Sequence, residues 1–340
     1  MFRTASLADL PAFRCGHAQD PRAATGCTVV VAPEGAVCGV DVRGGGPATR
    51  ETDLLRPENM IEAVHAVVLA GGSAFGLAAS AGVMDELAAR GIGFPVEGAR
   101  VPIVVGACLF DLLVGENAHP DAAMGAEACA AAFARTPEEP LAEGNVGAGC
   151  GATVGKLLGG GRAMKAGLGI CGLALGELAV VAVVAVNALG NVRDEDGAWI
   201  AGCRDDEGHV MDPLAAFGAM AAAAAAGDGT APAAGGPGAN TNICVVLTNA
   251  PATDPVTTTE RTNSVRFASL ASFIRAPPTG RQPGHGPPAG RRRPRLGTRH
   301  ARWRPAWPRR PAQIPRRAAP QPRRTRTRTR CRRRSGCARA

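Results

Sequence analysis

Residues 67–87 read VVLAGGSAFGLAASAGVMDEL, and this stretch decides the class of fold. Val67–Leu69 is a short apolar strand that ends at Gly71-Gly72. Ser73 to Arg90, with small residues at close spacing, reads as a helix capped by Ser73 and stopped by Gly91. Strand, glycine turn and helix in that order make an α/β unit. Upstream, Cys27–Ala32 and Ala36–Val42 flank Pro33-Glu34-Gly35 and read as a β-hairpin. Downstream, Pro102–Val105 is strand-like and an alanine-rich helix is predicted near Asp121–Arg135. Leu178–Asn187 reads as a fully buried strand from its valines, Pro213–Ala226 as an alanine helix, and Ile243–Leu247 as another buried strand. Thr253–Ile274 has the pattern of an amphipathic helix, and Gly227–Ala239 is a Gly/Pro/Ala linker.

The net charge of +9 over 340 residues averages two unlike pieces. Residues 276–340 hold 21 Arg and 12 Pro with no Lys and no acid, which leaves 17 basic and all 29 acidic residues in 1–275, a balance of −12. The tail has Leu296 and Ile314 as its large aliphatics and is expected to be disordered, because it cannot bury enough apolar surface to offset chain entropy. Two origins fit its vocabulary. One is an arginine-rich arm that neutralises phosphates; the other is a GC-rich gene read out of frame.

No positively charged leader with an apolar core opens the chain, and the longest purely apolar run, Leu178–Val186, is far shorter than the ~20 residues that span a bilayer. A cytoplasmic protein without membrane contact is expected. The nine cysteines of 1–275 form no Cys-x-x-Cys pair, so neither a zinc site nor a disulfide framework is indicated.

Familiar motifs fail on context. Gly167–Gly172 satisfies G-x-G-x-x-G, but a valine strand follows it where a phosphate-facing helix belongs. Gly155-Lys156 lacks the first glycine and the Ser/Thr of a phosphate loop, and Phe75 occupies the second glycine position of a G-x-S-x-G elbow around Ser73. His17, His65, His119 and His209 fall in no triad or metal spacing. Lysine is more informative. Lys156 and Lys165 are the chain's two lysines, both inside the glycine-dense 144–172 stretch, and an ammonium is a compact charge whose pKa moves readily on burial. Thr241 is placed where the linker meets a strand. A threonine at a new amino terminus carries its own base, because the α-amine has a pKa near 8. The hydroxyl can release that terminus itself by attacking the carbonyl of Asn240.

Seven strings, in order, give the body its resemblance. They are TGCTVVVAPEGAVCGVDVRGGGPATRETDLL at 25–55, the 67–87 stretch, VPIVVGACLFDL at 101–112, GNVGAGCGATVGK at 144–156, MKAGLG at 164–169, AVVAVNALGNV at 182–192 and NTNICVVLTNA at 240–250. The body resembles the self-processing L-aminopeptidase/D-amino-acid esterase and β-peptidyl aminopeptidase family (DmpA-like peptidases), in the branch that includes the nylon-oligomer endo-hydrolase.

The resemblance implies a four-layer α/β/β/α sandwich over 1–275, cut into a large α chain (1–240) and a small β chain that starts at Thr241. It also implies a homo-oligomer, a tetramer of processed protomers. By the same likeness Thr241 is the nucleophile, Asn240 precedes the cut, Lys165 is the lysine near the nucleophile with Lys156 as the weaker candidate, and Asn187 belongs to the oxyanion hole. No cofactor and no metal are implied. Substrates would be small peptides, amino-acid amides or esters, or ω-amino-acid oligomers.

Two departures stand out. The chain has no tyrosine, so Phe110 replaces the hydroxyl that some relatives place near the oxyanion. An FDGDTVFAL-like strand is also missing: no acid occurs beyond Glu260, and the 276–340 tail begins where that strand is due. This favours the out-of-frame origin over a nucleic-acid arm. Beside the enzyme reading stand two others, a catalytically dead product of a frameshifted gene and nucleic-acid binding through the tail.

Overall fold

The computed structural model describes residues 1–225, 240–251 and 264–270, all within one compact unit, Met1–Pro277. The 227–239 linker, most of the 253–274 stretch and the 276–340 tail lie outside the described residues.

The chain opens with β1 (Phe2–Thr4) and β2 (Arg14–Asp20), then runs through the long β3 (Thr25–Val42), β4 (Ala48–Arg50) and β5 (Val64–Ala70). Helix α1 (Ala79–Ala89), a small β6 (Phe94–Val96) and β7 (Ala99–Val101) hairpin, β8 (Val104–Cys108) and α2 (Ala122–Ala134) follow. Next come the short pair β9 (Thr153–Val154) and β10 (Met164–Lys165), and the hairpin β11 (Gly167–Leu175) and β12 (Leu178–Val186). A second short pair, β13 (Val192–Arg193) and β14 (Trp199–Ala201), leads to α3 (Pro213–Ala225), β15 (Asn242–Thr248) and β16 (Ser264–Leu270).

The strands join in the order β1-β11-β12-β15-β16-β3-β5-β8-β4, with β2 also on β3; the long β3 belongs to two sheets, a first one with β2, β5, β8 and β4 along its earlier residues and a second one with β16, β15, β12, β11 and β1 beyond Ala36. Strands β5 and β8 are parallel and α1 lies in the connection between them, as 67–87 predicted. Period-two alternation then builds two cores. In β3, Val30 faces the β12 and β15 side while Val29 and Val31 face the helices; in β5, Val67 and Leu69 take the first side and Ala66 and Val68 the second. The sheet-on-sheet core sets these residues against Val181, Val183, Ile243, Val245 and Leu247. The other core packs them under Val83 and Leu87 of α1 and Ala128 and Cys129 of α2. Each buried Val, Ile or Leu contributes about 1.5–3 kcal/mol. Helices α1 and α2 touch backbone to backbone, and a Cβ on Gly82 would lie 1.7 Å from the Ala122 carbonyl oxygen.

Helix α1/α2 layer, sheet and sheet are therefore three of the four expected layers, in a mixed α/β fold. The outer face of the second sheet carries exposed Leu173, Leu175, Leu178 and Val180. Ala216 of α3 packs instead with Leu157 and Cys203.

Four local expectations are corrected. Residues 33–35 do not turn a hairpin: β3 runs on through them with a shift in its pairing to β5, from Val31 opposite Ala66 to Ala36 opposite Val64, and Gly35 at φ +79° takes up the irregularity. Ser73 does not cap by its side chain; Gly72 is the N-cap of a 3-10 turn, Ser73–Ala78, that precedes α1, and Ser73 itself has φ +54°. Strands β12 and β15 are buried on one face only. Ser264–Leu270 forms β16, between antiparallel β15 and parallel β3, where helix was expected. Open ladder groups on both neighbours outweigh a local helical pattern.

Candidate active site

Asn187 follows the last residue of β12, and Thr241 precedes the first of β15. Because Ala185 pairs with Ile243, the antiparallel register brings Asn187 opposite Thr241. The Thr241 N–H donates to the Asn187 carbonyl at 3.0 Å, and the Asn187 N–H donates to Asn242 Oδ1 at 2.8 Å. Asn240 and Thr241 are half-buried, and Asn240 Oδ1 is buried without a hydrogen-bond partner among the described residues.

The Asn187 side chain is fully buried. Its Nδ2 donates to the Phe110 carbonyl at 2.8 Å, and its Oδ1 accepts from the Thr153 N–H at 3.1 Å and from Lys156 Nζ at 2.5 Å. One end meets a carbonyl and the other two donors, which fixes the amide orientation. Lys156 Nζ also donates to the Asn187 carbonyl at 3.3 Å. That oxygen thus serves both Thr241 and Lys156. The loop after β9 holds Lys156 there through N–H bonds from Gly155 to Gly190 and from Lys156 to Leu189, each 2.9 Å. Burial lowers the Lys156 pKa to about 8, opposed in part by the Asp111 carboxylate.

Lys165 is on β10, opposite Thr153 of β9. It is exposed, and its Nζ donates to the Cys150 carbonyl. Partial desolvation of its ammonium end lowers its pKa, while Cys150 and Asp111 act the other way. Both lysines line one cavity of about 380 Å³, together with Phe110, Asp111, Leu113 and Thr153. The structure therefore joins Thr241, Asn187 and Lys156 by direct hydrogen bonds and puts Lys165 on the adjoining wall. Of the two lysines it is Lys156 that is hydrogen-bonded to Asn187, while Lys165 is bonded to Cys150.

Asp111 was not singled out from sequence. Its Oδ1 accepts from the Gly72 N–H at 2.5 Å and its Oδ2 from the Thr25 hydroxyl at 3.3 Å. Burial raises its pKa, and those two donors and Lys165 pull it back. The carboxylate fits only because its neighbours have no side chain: a Cβ on Gly151 would lie 2.3 Å from Oδ2. The available signal was a lone acid inside the apolar run ACLFDLLVG. Phe110, expected in place of a tyrosine hydroxyl, contributes its main-chain carbonyl to Asn187.

On the far side of the glycine-dense loop a second network pins it. His17 Nε2 faces the Ala142 carbonyl at 3.2 Å, so that nitrogen carries the proton of the neutral ring and Nδ1 accepts from the Thr28 hydroxyl at 2.9 Å. Thr28 Oγ1 in turn accepts from the Ala148 N–H at 3.0 Å, and Gln19 Oε1 accepts from the Gly147 N–H at 2.9 Å.

The model of peptidase family S58 matches residues 5–268. The chain is 48% identical over 198 residues to an uncharacterized aminopeptidase of Mycobacterium tuberculosis, covering 56% of this chain and 54% of that protein. It is 34% identical over 201 residues to the 6-aminohexanoate-oligomer endohydrolase of Paenarthrobacter ureafaciens, covering 58% and 52%. The chain thus spans about half the length of the curated relatives it matches. Among solved structures it is similar to a Pyrococcus horikoshii protein at 16% identity and a TM-score of 0.49, covering 81% of this chain and 79% of that one. It is also similar to a Burkholderia sp. beta-aminopeptidase at 24% identity and a TM-score of 0.40, covering 54% and 52%.

Proposed function

The chain belongs to peptidase family S58, and from that premise we propose that it is a self-processing amidohydrolase with Thr241 as its nucleophile. In the first reaction Thr241 Oγ attacks the Asn240 carbonyl and the peptide becomes an ester by an N-to-O acyl shift. Water then hydrolyses the ester, leaving a carboxylate on Asn240 and a free α-amine on Thr241. The large chain would be 1–240, and the small chain would start at Thr241; assembly into a tetramer of processed protomers belongs to the same proposal.

In the second reaction the Thr241 hydroxyl attacks an amide or ester carbonyl and its proton passes to the α-amine. The leaving amine takes that proton, and water releases the acyl group. What carries this reading is the shared acceptor: the Thr241 nitrogen and the Lys156 ammonium both donate to the Asn187 carbonyl, at 3.0 and 3.3 Å. An ammonium so placed lowers the proton affinity of a neighbouring amine and favours the neutral form that acts as base. We assign to the same ammonium the offsetting of charge that develops on an attacked carbonyl oxygen. Asn187 is assigned to the oxyanion hole, with its amide held in orientation by the Phe110 carbonyl, the Thr153 N–H and Lys156. The substrates proposed are small peptides, amino-acid amides or esters, and ω-amino-acid oligomers.

The test is hydrolysis of an aminoacyl p-nitroanilide and of a linear 6-aminohexanoate oligomer by wild type, Thr241→Ser and Thr241→Ala. Wild type should cleave at least one of them, Thr241→Ser should keep measurable turnover, and Thr241→Ala should lose about 10³-fold or more of kcat/KM. An alanine variant as active as wild type would remove Thr241 from the mechanism.

A further inference from the structure

We propose that the cavity beside Asn187 receives the carboxylate end of an aliphatic amide substrate, with the Lys165 ammonium as its partner. This rests on the reading of Thr241 as nucleophile and adds the direction in which the substrate lies.

The cavity of about 380 Å³ carries both lysines of the chain on its wall, although the 1–275 body around it has an acidic balance. Among the described residues its lining contains one acid, Asp111, and that carboxylate is 3% exposed with its oxygens directed at the Gly72 N–H and the Thr25 hydroxyl. Glu116 lies next to the lining residue Gly115 and is paired with Arg22 at 3.3 Å. A substrate ammonium entering here would therefore meet two ammonium groups and no accessible carboxylate among the lining residues.

A substrate carboxylate meets the opposite field. The two lysines divide the work. Lys156 is buried against Asn187, whereas Lys165 is exposed and has three N–H donors, one of them directed to Cys150. Leu113, Val114 and Ala163 supply apolar wall for a methylene spacer between the carboxylate and the reacting amide. The class selected is a short peptide or ω-amino-acid oligomer held by its carboxyl end.

Binding of hexanoate, 1-hexanol and hexylammonium to the full-length wild-type chain, by calorimetry or ligand-observed NMR, tests the cavity without turnover. Hexanoate should bind at least tenfold more tightly than either of the others and weaken with added salt. Lys165→Gln should bring hexanoate to within about twofold of hexanol, and Lys165→Arg should keep the preference. Equal affinities, tightest binding of hexylammonium, no binding of any probe, or a preference that survives Lys165→Gln would overturn the proposal.

A parallel assay compares hydrolysis of dialanine with that of its C-terminal carboxamide. Thr241-dependent hydrolysis with no hexanoate preference defeats the cavity proposal alone. Lys165-dependent hexanoate binding without Thr241-dependent hydrolysis defeats the nucleophile reading and leaves the cavity assignment standing.

Discussion

Lys156 keeps a charged amine in a site that disfavours charge, and its pKa of about 8 against a free value of 10.5 records the cost. Between those two values the unfolded chain binds more protons than the folded one, so the contribution of this residue to stability rises with pH across the window and is smallest below pH 8. The buried thiols act in the opposite sense. Burial pushes Cys15, Cys27 and Cys129 up to about 12, so the stability tied to their protonated form is lost as pH rises above 9. The clean comparison is therefore wild type against Lys156→Met in urea between pH 7 and 9. Wild type should gain on the variant by up to about 1.4 kcal/mol per pH unit above pH 8; a flat difference would mean that burial does not perturb Lys156. At this scale the sequence was informative where chemistry is rare. Two lysines among 340 residues are a rare signal, but which Nζ reaches Asn187 is set by the tertiary structure. Asp111 is not legible in the same way, because its environment is built by Gly71, Gly72 and Gly151, which say nothing about a carboxylate when read in order.

Strands β2 and β3 position the glycine-dense loop through His17, Thr28 and Gln19, and so hold the backbone that leads to Lys156. Burial lowers the His17 pKa to about 4, with the Ala142 carbonyl opposing and Arg135 adding to the effect. The unfolded histidine titrates near 6.5, so the unfolded chain binds more protons between about pH 6.5 and 4 and stability falls as pH drops through that range. Protonation would also place a second donor on Thr28 Oγ1, which already accepts from Ala148. Thermal melts from pH 7 to 4.5 should show an acid loss of stability, and His17→Gln should lose less over the same range. An identical acid slope in the variant would exclude His17 as its source.

Elements with a strong local signature were legible. Helix α2 lies within the stretch predicted from its alanines, and Asp121 caps it through an N–H bond from Met124 of 2.9 Å. The course of β3 through Pro33–Gly35 was not, because turn residues fit a bulge as well as a reversal. Nor was β16, whose place is set by the partners β15 and β3.

At the level of the whole molecule, charge and architecture divide differently. The −12 body supplies the helix layer and the two sheets, while the +21 segment from 276 onward sets the sign of the total. The α/β/β stacking was legible only through the resemblance of ordered strings, since alternation along a strand says that one face is buried and not against what. The site depends on strand order within one sheet. Thr241 and Asn187 are 54 residues apart and meet because β12 and β15 are neighbours in register.

The central claim is that this arrangement breaks its own chain before Thr241. Denaturing mass spectrometry of the freshly purified full-length protein tests it most directly, with Thr241→Ala alongside. The account predicts two wild-type fragments, one ending at Asn240 and one beginning with a free amine on Thr241, and a single intact alanine variant. An intact wild-type chain, or a Thr241→Ala chain cut at the same bond, would contradict it.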